Sequence, residues 1–203
     1  MEAQFAVAQA GENPVTVNLH GAAQDFRNAF YCLGIRLAEE TPYRIAKAWA
    51  EMLAGYREDW RQYCKTFKLD DIDQFDGDEP FFIPLDFSQT NHQVEIRCSF
   101  VSICEHHVLP FEGEAVVRYG ISDGHVLGAS KVVRIVQSLA RRLQLQERLT
   151  AEIAQAIAEA VNPMWVEVET VATHACIRCR GVRDSSAEMR CVATWQRHQE
   201  DTL

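Results

Sequence analysis

Positive charge is scarce in this chain: 20 Lys and Arg stand against 29 Asp and Glu, a formal net charge of −9. That balance argues against broad binding to nucleic acid or to an anionic membrane surface. No apolar run approaches the length of a membrane span. The opening stretch "MEAQFAVAQAGENPVTVNLHG" lacks a basic segment followed by an apolar block, so it does not read as a signal peptide. Its small and polar residues suggest a mobile arm over 1–22. A cytoplasmic location is the expectation. Repeats and low-complexity tracts are missing too. Disulfide scaffolding is not expected: seven cysteines are an odd number in a chain of 203 residues, long enough to bury a core without staples. Buried thiols and metal ligands are the readings left for them.

What is present fits an ordinary folded protein, with 47% hydrophobic and 24% charged residues. A helical region is expected over 23–70. Phe26, Phe30, Leu33 and Leu37 recur at helical spacing, and Thr41-Pro42 restarts a helix with Thr as N-cap and Pro in the first turn. Ile45, Ala48, Trp49, Met52 and Leu53 then form one apolar stripe. An acidic, Pro- and Gly-containing connection follows over 71–92. The main domain, 93–203, reads as strands at 94–100 and 114–120, a long helical segment over 132–161 broken near Gln144 to Gln146, and strands at 165–175 and 189–195. Paired strands around helices predict an α+β fold with an antiparallel sheet covered on one face.

"SICEHHVLP", residues 102–110, concentrates the chemistry. On a helical turn Cys104 and His107 share a face, and thiolate with imidazole is a zinc-favouring pair. A lone C-x-x-H is equally well explained by a surface turn. The partner is sought in "VATHACIRCRGV": on a strand His174 and Cys176 project to one side. Cys104, His107 and Cys176 give three ligands and an open position, the pattern of a catalytic rather than a structural zinc site. His106 and His174 then flank the metal as proton carriers. Two alternatives stay open, because Cys176 and Cys179 also form a C-x-x-C: a closed four-ligand site, or a redox pair. The redox reading is disfavoured because such pairs open helices and this one is expected to end a strand.

In an acidic chain the few clustered cations are informative. "LGASKVVRIVQ" places Ser130, Lys131 and Arg134 at a helix start, where backbone N–H groups attract anions, and Arg180 follows the second cysteine segment. Together they suggest a phosphate-bearing substrate; any one alone reads as a solvated charge. Gln146 and Glu147 sit at the helix break, and a carboxylate can accept paired hydrogen bonds from a guanine edge. A Glu between helices is more often a solvated charge or a cap.

"SICEHHVLPFEG", "HVLGASKVVRIVQSLARRLQLQERLT" and "HACIRCRGVRD", with "TPYRIAKAWAEMLAGY" upstream, resemble in order the signature segments of the GTP cyclohydrolase I family. The resemblance implies a tunnelling fold, ββααββ, in subunits that assemble as two stacked pentamers with active sites at subunit interfaces. It implies conversion of GTP and water to formate and 7,8-dihydroneopterin triphosphate, using Zn2+. By position it implies Cys104, His107 and Cys176 as zinc ligands and His106 and His174 as catalytic. Glu147, with Gln146 nearby, falls in the guanine-recognising segment. Ser130, Lys131, Arg134 and Arg180 fall around the ribose and triphosphate, and Arg44 matches an arginine reaching from a neighbouring subunit. The sequence departs from the family at Ala129, where Leu is usual, in "TNHQVEIRCSF", and in "SSAEMRCVATWQ". Those departures keep open a specialised paralogue with altered substrate or product, in a deazapurine or pterin pathway. A non-catalytic purine- or pterin-binding regulatory homologue is the other alternative.

Overall fold

The computed structural model describes residues 16–68, 92–122 and 124–197. The acidic connection, apart from His92, lies outside the described residues, as do residues 1–15 of the expected arm. The chain divides into two compact units, Met1–Asp59 and Trp60–Leu203.

In the first unit, α1 (Leu19–Cys32) begins inside the stretch expected as an arm, where the Asn18 side chain accepts a hydrogen bond from the Gly21 N–H at 2.9 Å. α2 (Thr41–Met52) starts one residue earlier than expected: Thr41 is already helical, and Glu40 occupies the cap position without a side-chain hydrogen bond. Pro42 lies in the first turn, where its missing N–H costs nothing.

The second unit opens with a 3-10 turn (Trp60–Tyr63) and β1 (Thr66–Lys68). It continues through β2 (Gln93–Cys104), β3 (Leu109–Gly120), β4 (His125–Leu127), α3 (Ala129–Ala140), β5 (Leu143–Gln144) and α4 (Gln146–Val161). It ends with β6 (Trp165–His174), the short helix α5 (Ala175–Arg178) and β7 (Met189–Gln196). The main sheet runs β5-β2-β3-β6-β7, antiparallel except where β5 pairs with β2. This is the expected ββααββ order, with α3 and α4 packed on one sheet face.

Alternation explains which face. On β6, Val166, Val168, Thr170, Ala172 and His174 are buried in strict alternation. Phe111, Ala115, Val117 and Tyr119 of β3 share that face, as do Phe100, Ser102 and Cys104 of β2. The helices supply Val132, Ile135, Val136 and Leu139, then Leu149, Ile153 and Ile157, at spacings of three and four. On the opposite face the register stacks charges: Arg118 pairs with Glu95 and Glu167, both at 2.7 Å, and Arg190 with Glu169 at 2.6 Å. The neighbouring guanidiniums, Arg118 before Arg97 for Glu95, and Arg190 for Glu169, hold those carboxyls below their ordinary values.

The helical segment breaks where the sequence suggested, and the break has a use. Leu143 and Gln144 pair in parallel with Ile103 and Cys104, so the start of α4 is tied to the end of β2.

Candidate metal centre and its surroundings

β2 ends at Cys104, and the chain reverses through 105–108 into β3, closed by a Val108 N–H to Cys104 carbonyl bond of 2.8 Å. Val108 takes a positive φ of 54°, unusual for a β-branched residue. The reversal sets Cys104 Sγ 3.7 Å from His107 Nδ1. Cys176, from α5, completes a group in which all three candidate ligand atoms lie within 4.8 Å of one another.

The route to Cys176 differs from the expected one. The strand stops at His174, and Cys176 sits on the helical turn that follows, so the two do not share a strand face. His174 turns into the core, while Cys176 turns to Cys104. The C-x-x-C therefore lies on a helical turn and not at the end of a strand, so its placement does not by itself disfavour a redox pair. What separates the two cysteines is placement: Cys179 is exposed and outside the three-ligand group, so it does not close a fourth position.

The donor set suits zinc, which favours thiolate and imidazole. Burial first, and then the adjacent Cys104 thiol, push the Cys176 thiol up, while Arg180 pulls it down. A thiol held protonated by burial beside a second cysteine is an arrangement that a bound dication would relieve.

His174 is the last member of the buried row on β6. It pairs with Phe111 across β3 and stacks on that ring, centroids 4.5 Å apart and planes 2° from parallel. Burial lowers its pKa, and the Glu147 carboxylate acts against that shift. Glu147 is exposed in the first turn of α4, one position after Gln146, which is 1% exposed. His106 is exposed beside His107, their rings 6.2 Å apart and perpendicular.

Of the expected phosphate-side residues, Ser130 and Arg134 line a cavity of about 390 Å³ with Tyr63, Val133, Gln137 and Arg141. The Arg134 guanidinium lies over the Tyr63 ring at 5.7 Å. Lys131 stands on the same first turn but does not line that cavity. Arg180 is exposed near Cys176, whose ionisation it favours. Arg44 belongs to the first unit, on α2, ion-paired with Glu40.

Sequence reasoning left Glu105 without a role and passed over Arg148. Arg148 on α4 is ion-paired with Glu105 and donates to Gln144 Oε1 and to the Leu143 carbonyl, each at 2.9 Å. The Glu105 N–H meanwhile donates to the Gln144 carbonyl at 3.0 Å. The metal-ligand turn is thus strapped to the start of α4 by backbone and side chain together. No spacing rule marks Glu105 and Arg148 as partners, because they are 43 positions apart.

Fold and cluster together define an α+β protein of the tunnelling-fold kind carrying a Cys–His–Cys group of metal-ligand type. The family model described as GTP cyclohydrolase I matches residues 34–202. A GTP cyclohydrolase 1 of Thermoanaerobacter pseudethanolicus is 41% identical over 152 residues, 73% of this chain and 70% of its own. That of Geobacillus kaustophilus is 40% identical over 146 residues, covering 71% and 68%. One from Streptococcus pyogenes is 36% identical over 164 residues, covering 80% and 75%. The chain belongs to the GTP cyclohydrolase I family.

Proposed function

We propose that this protein is a zinc-dependent GTP cyclohydrolase I, converting GTP and water to formate and 7,8-dihydroneopterin triphosphate. One observation carries the reading: the Cys104–His107–Cys176 group lies at the sheet end where buried His174 is held, with Glu147 close enough to influence that histidine. Family membership supports it.

Cys104, His107 and Cys176 hold the metal. When bound, zinc supplies Lewis-acid chemistry that makes water nucleophilic near neutral pH. His106, exposed beside the ligands, delivers a proton to N7 of guanine and so makes C8 electrophilic. His174 serves the ribose, giving a proton to the ring oxygen as the sugar opens. Glu147 accepts hydrogen bonds from the guanine N1–H and amino group. Lys131, Arg134 and Arg180 balance the triphosphate charge, Ser130 contacts the ribose–phosphate side, and Arg44 reaches in from a neighbouring subunit. Holding the base and phosphates together keeps C8 in place through several steps. The assembly proposed is a homodecamer of two stacked pentamers with sites between subunits, acting in the cytoplasm. Among the described residues no helix is long and apolar enough to cross a membrane.

The reading is tested by incubating purified, metal-analysed protein with GTP, then oxidising the product and recording pterin fluorescence. Fluorescence that grows with time and tracks metal content is the expected result. A metal-replete sample that binds GTP and yields no pterin would overturn it in favour of a binding homologue.

A further inference from the structure

We propose that Gln146 is a positioning residue: its side-chain amide holds His174 with the ring hydrogen on Nε2 and so fixes which tautomer the buried imidazole adopts. The orientation of a glutamine amide is fixed by what surrounds it. Gln146 Nε2 lies 2.9 Å from the Met189 carbonyl oxygen and 3.2 Å from that of Thr170. Both are backbone acceptors, so the amide nitrogen must face them. Oε1 therefore faces His174 Nε2, at 2.9 Å. Oε1 can only accept, so Nε2 must carry the hydrogen.

The surrounding hydroxyls agree in direction. Thr150 Oγ1 donates to the Gln146 backbone carbonyl at 2.7 Å, so it accepts from Thr170 Oγ1 at 2.8 Å. Thr170 Oγ1, its proton committed to Thr150, accepts from Gln146 Nε2 at 3.1 Å. Each hydroxyl proton in the circuit has one place, and the two amide hydrogens serve three acceptors. Gln146 and Thr150 are each 1% exposed, Thr170 0% and His174 8%. A flipped amide would set its oxygen against the two carbonyl oxygens in a buried setting, where such repulsion is costly. Phe111, stacked on His174, fixes the plane of the ring while Gln146 fixes its proton.

This assignment separates Gln146 from Glu147, its neighbour in the guanine-recognising segment. Both amide hydrogens are spent inside the protein, on Met189 and on the Thr170 pair of acceptors. Base recognition then falls to exposed Glu147, and Gln146 acts through His174. The effect on turnover rests on the function proposed above; the tautomer does not.

The test uses full-length, metal-loaded protein with nitrogen-15 histidine, read by solid-state NMR at about pH 8.5, where an ordinary imidazole is neutral. The His174 signals are assigned by their loss in His174→Asn. The expected spectrum is the Nε2–H tautomer; an Nδ1–H tautomer in the wild-type protein overturns the proposal, whether or not any variant folds. In Gln146→Leu the signature should become mixed, with kcat for GTP about 10–100-fold lower and KM within about threefold, as for loss of oriented acid–base help. A raised KM with kcat spared would instead mean that Gln146 touches the base, and would overturn the proposal. Wild-type protein inert toward GTP would defeat the functional reading alone, while the spectrum still decides the tautomer.

Discussion

Cys176 and Cys179 stand one helical turn apart, and only Cys176 faces Cys104. Removing either should therefore have unequal effects. Cys176→Ser should lose bound metal and reduce turnover by at least about a hundredfold, since a catalytic metal supplies several kcal/mol of barrier lowering. Cys179→Ser should keep both metal and rate. Metal analysis and GTP turnover on the same samples check this; metal loss in Cys179→Ser would point to a closed four-ligand site. Residue chemistry was legible where it depends on type and short spacing: Cys104 with His107 follows from a turn. The placement of Cys176 was reached through a strand that in fact ends at His174. Nothing in the sequence shows that Gln146 turns inward and Glu147 outward; burial decides that, and both are polar residues at a helix start.

At the scale of elements, the strap between the 105–108 turn and α4 makes a specific demand. Arg148→Leu removes the ion pair to Glu105 and the bonds to Gln144 and Leu143. The sheet should survive, while metal affinity falls by about tenfold or more, as for other residues that hold a ligating segment in place. Competition with a chromophoric chelator, alongside circular dichroism, separates the two effects; unchanged affinity would remove the strap from the account. A second demand falls on β3. A Cβ at Gly113 would lie 1.9 Å from the Val171 carbonyl oxygen of β6, and backbone cannot give way as a flexible side chain can. Gly113→Ala should cost about 2 kcal/mol or more, measured by denaturant unfolding. Alternation announced β2, strand-favouring composition announced β3, β6 and β7, and a break between α3 and α4 was expected near Gln144 to Gln146. That the break forms β5 was not visible, because two residues carry no periodicity.

Across the whole molecule, net negative charge coexists with alternating ion pairs on the sheet face away from the helices. Glu95 and Glu169 have their carboxyl pKa values lowered by arginines in the fold. A lowered folded value contributes stability above the unfolded value and loses it as pH falls through the folded one. The melting temperature should therefore drop as pH is taken from about 6 to about 3, across and below the ordinary carboxylate range. Arg118→Gln should be less stable than wild type near neutrality, with the gap narrowing in acid. Thermal melts across that range check it; a gap that widens in acid would show that the pairs stabilise nothing.

Carbon 8 of the purine separates the proposed activity from its alternatives. GTP isotopically labelled at C8, incubated with the metal-loaded protein, should release its label as formate in step with pterin formation, and chelation should stop both. Label retained in a purine or a formamide at full metal occupancy would contradict the assignment of this chain as a GTP cyclohydrolase I.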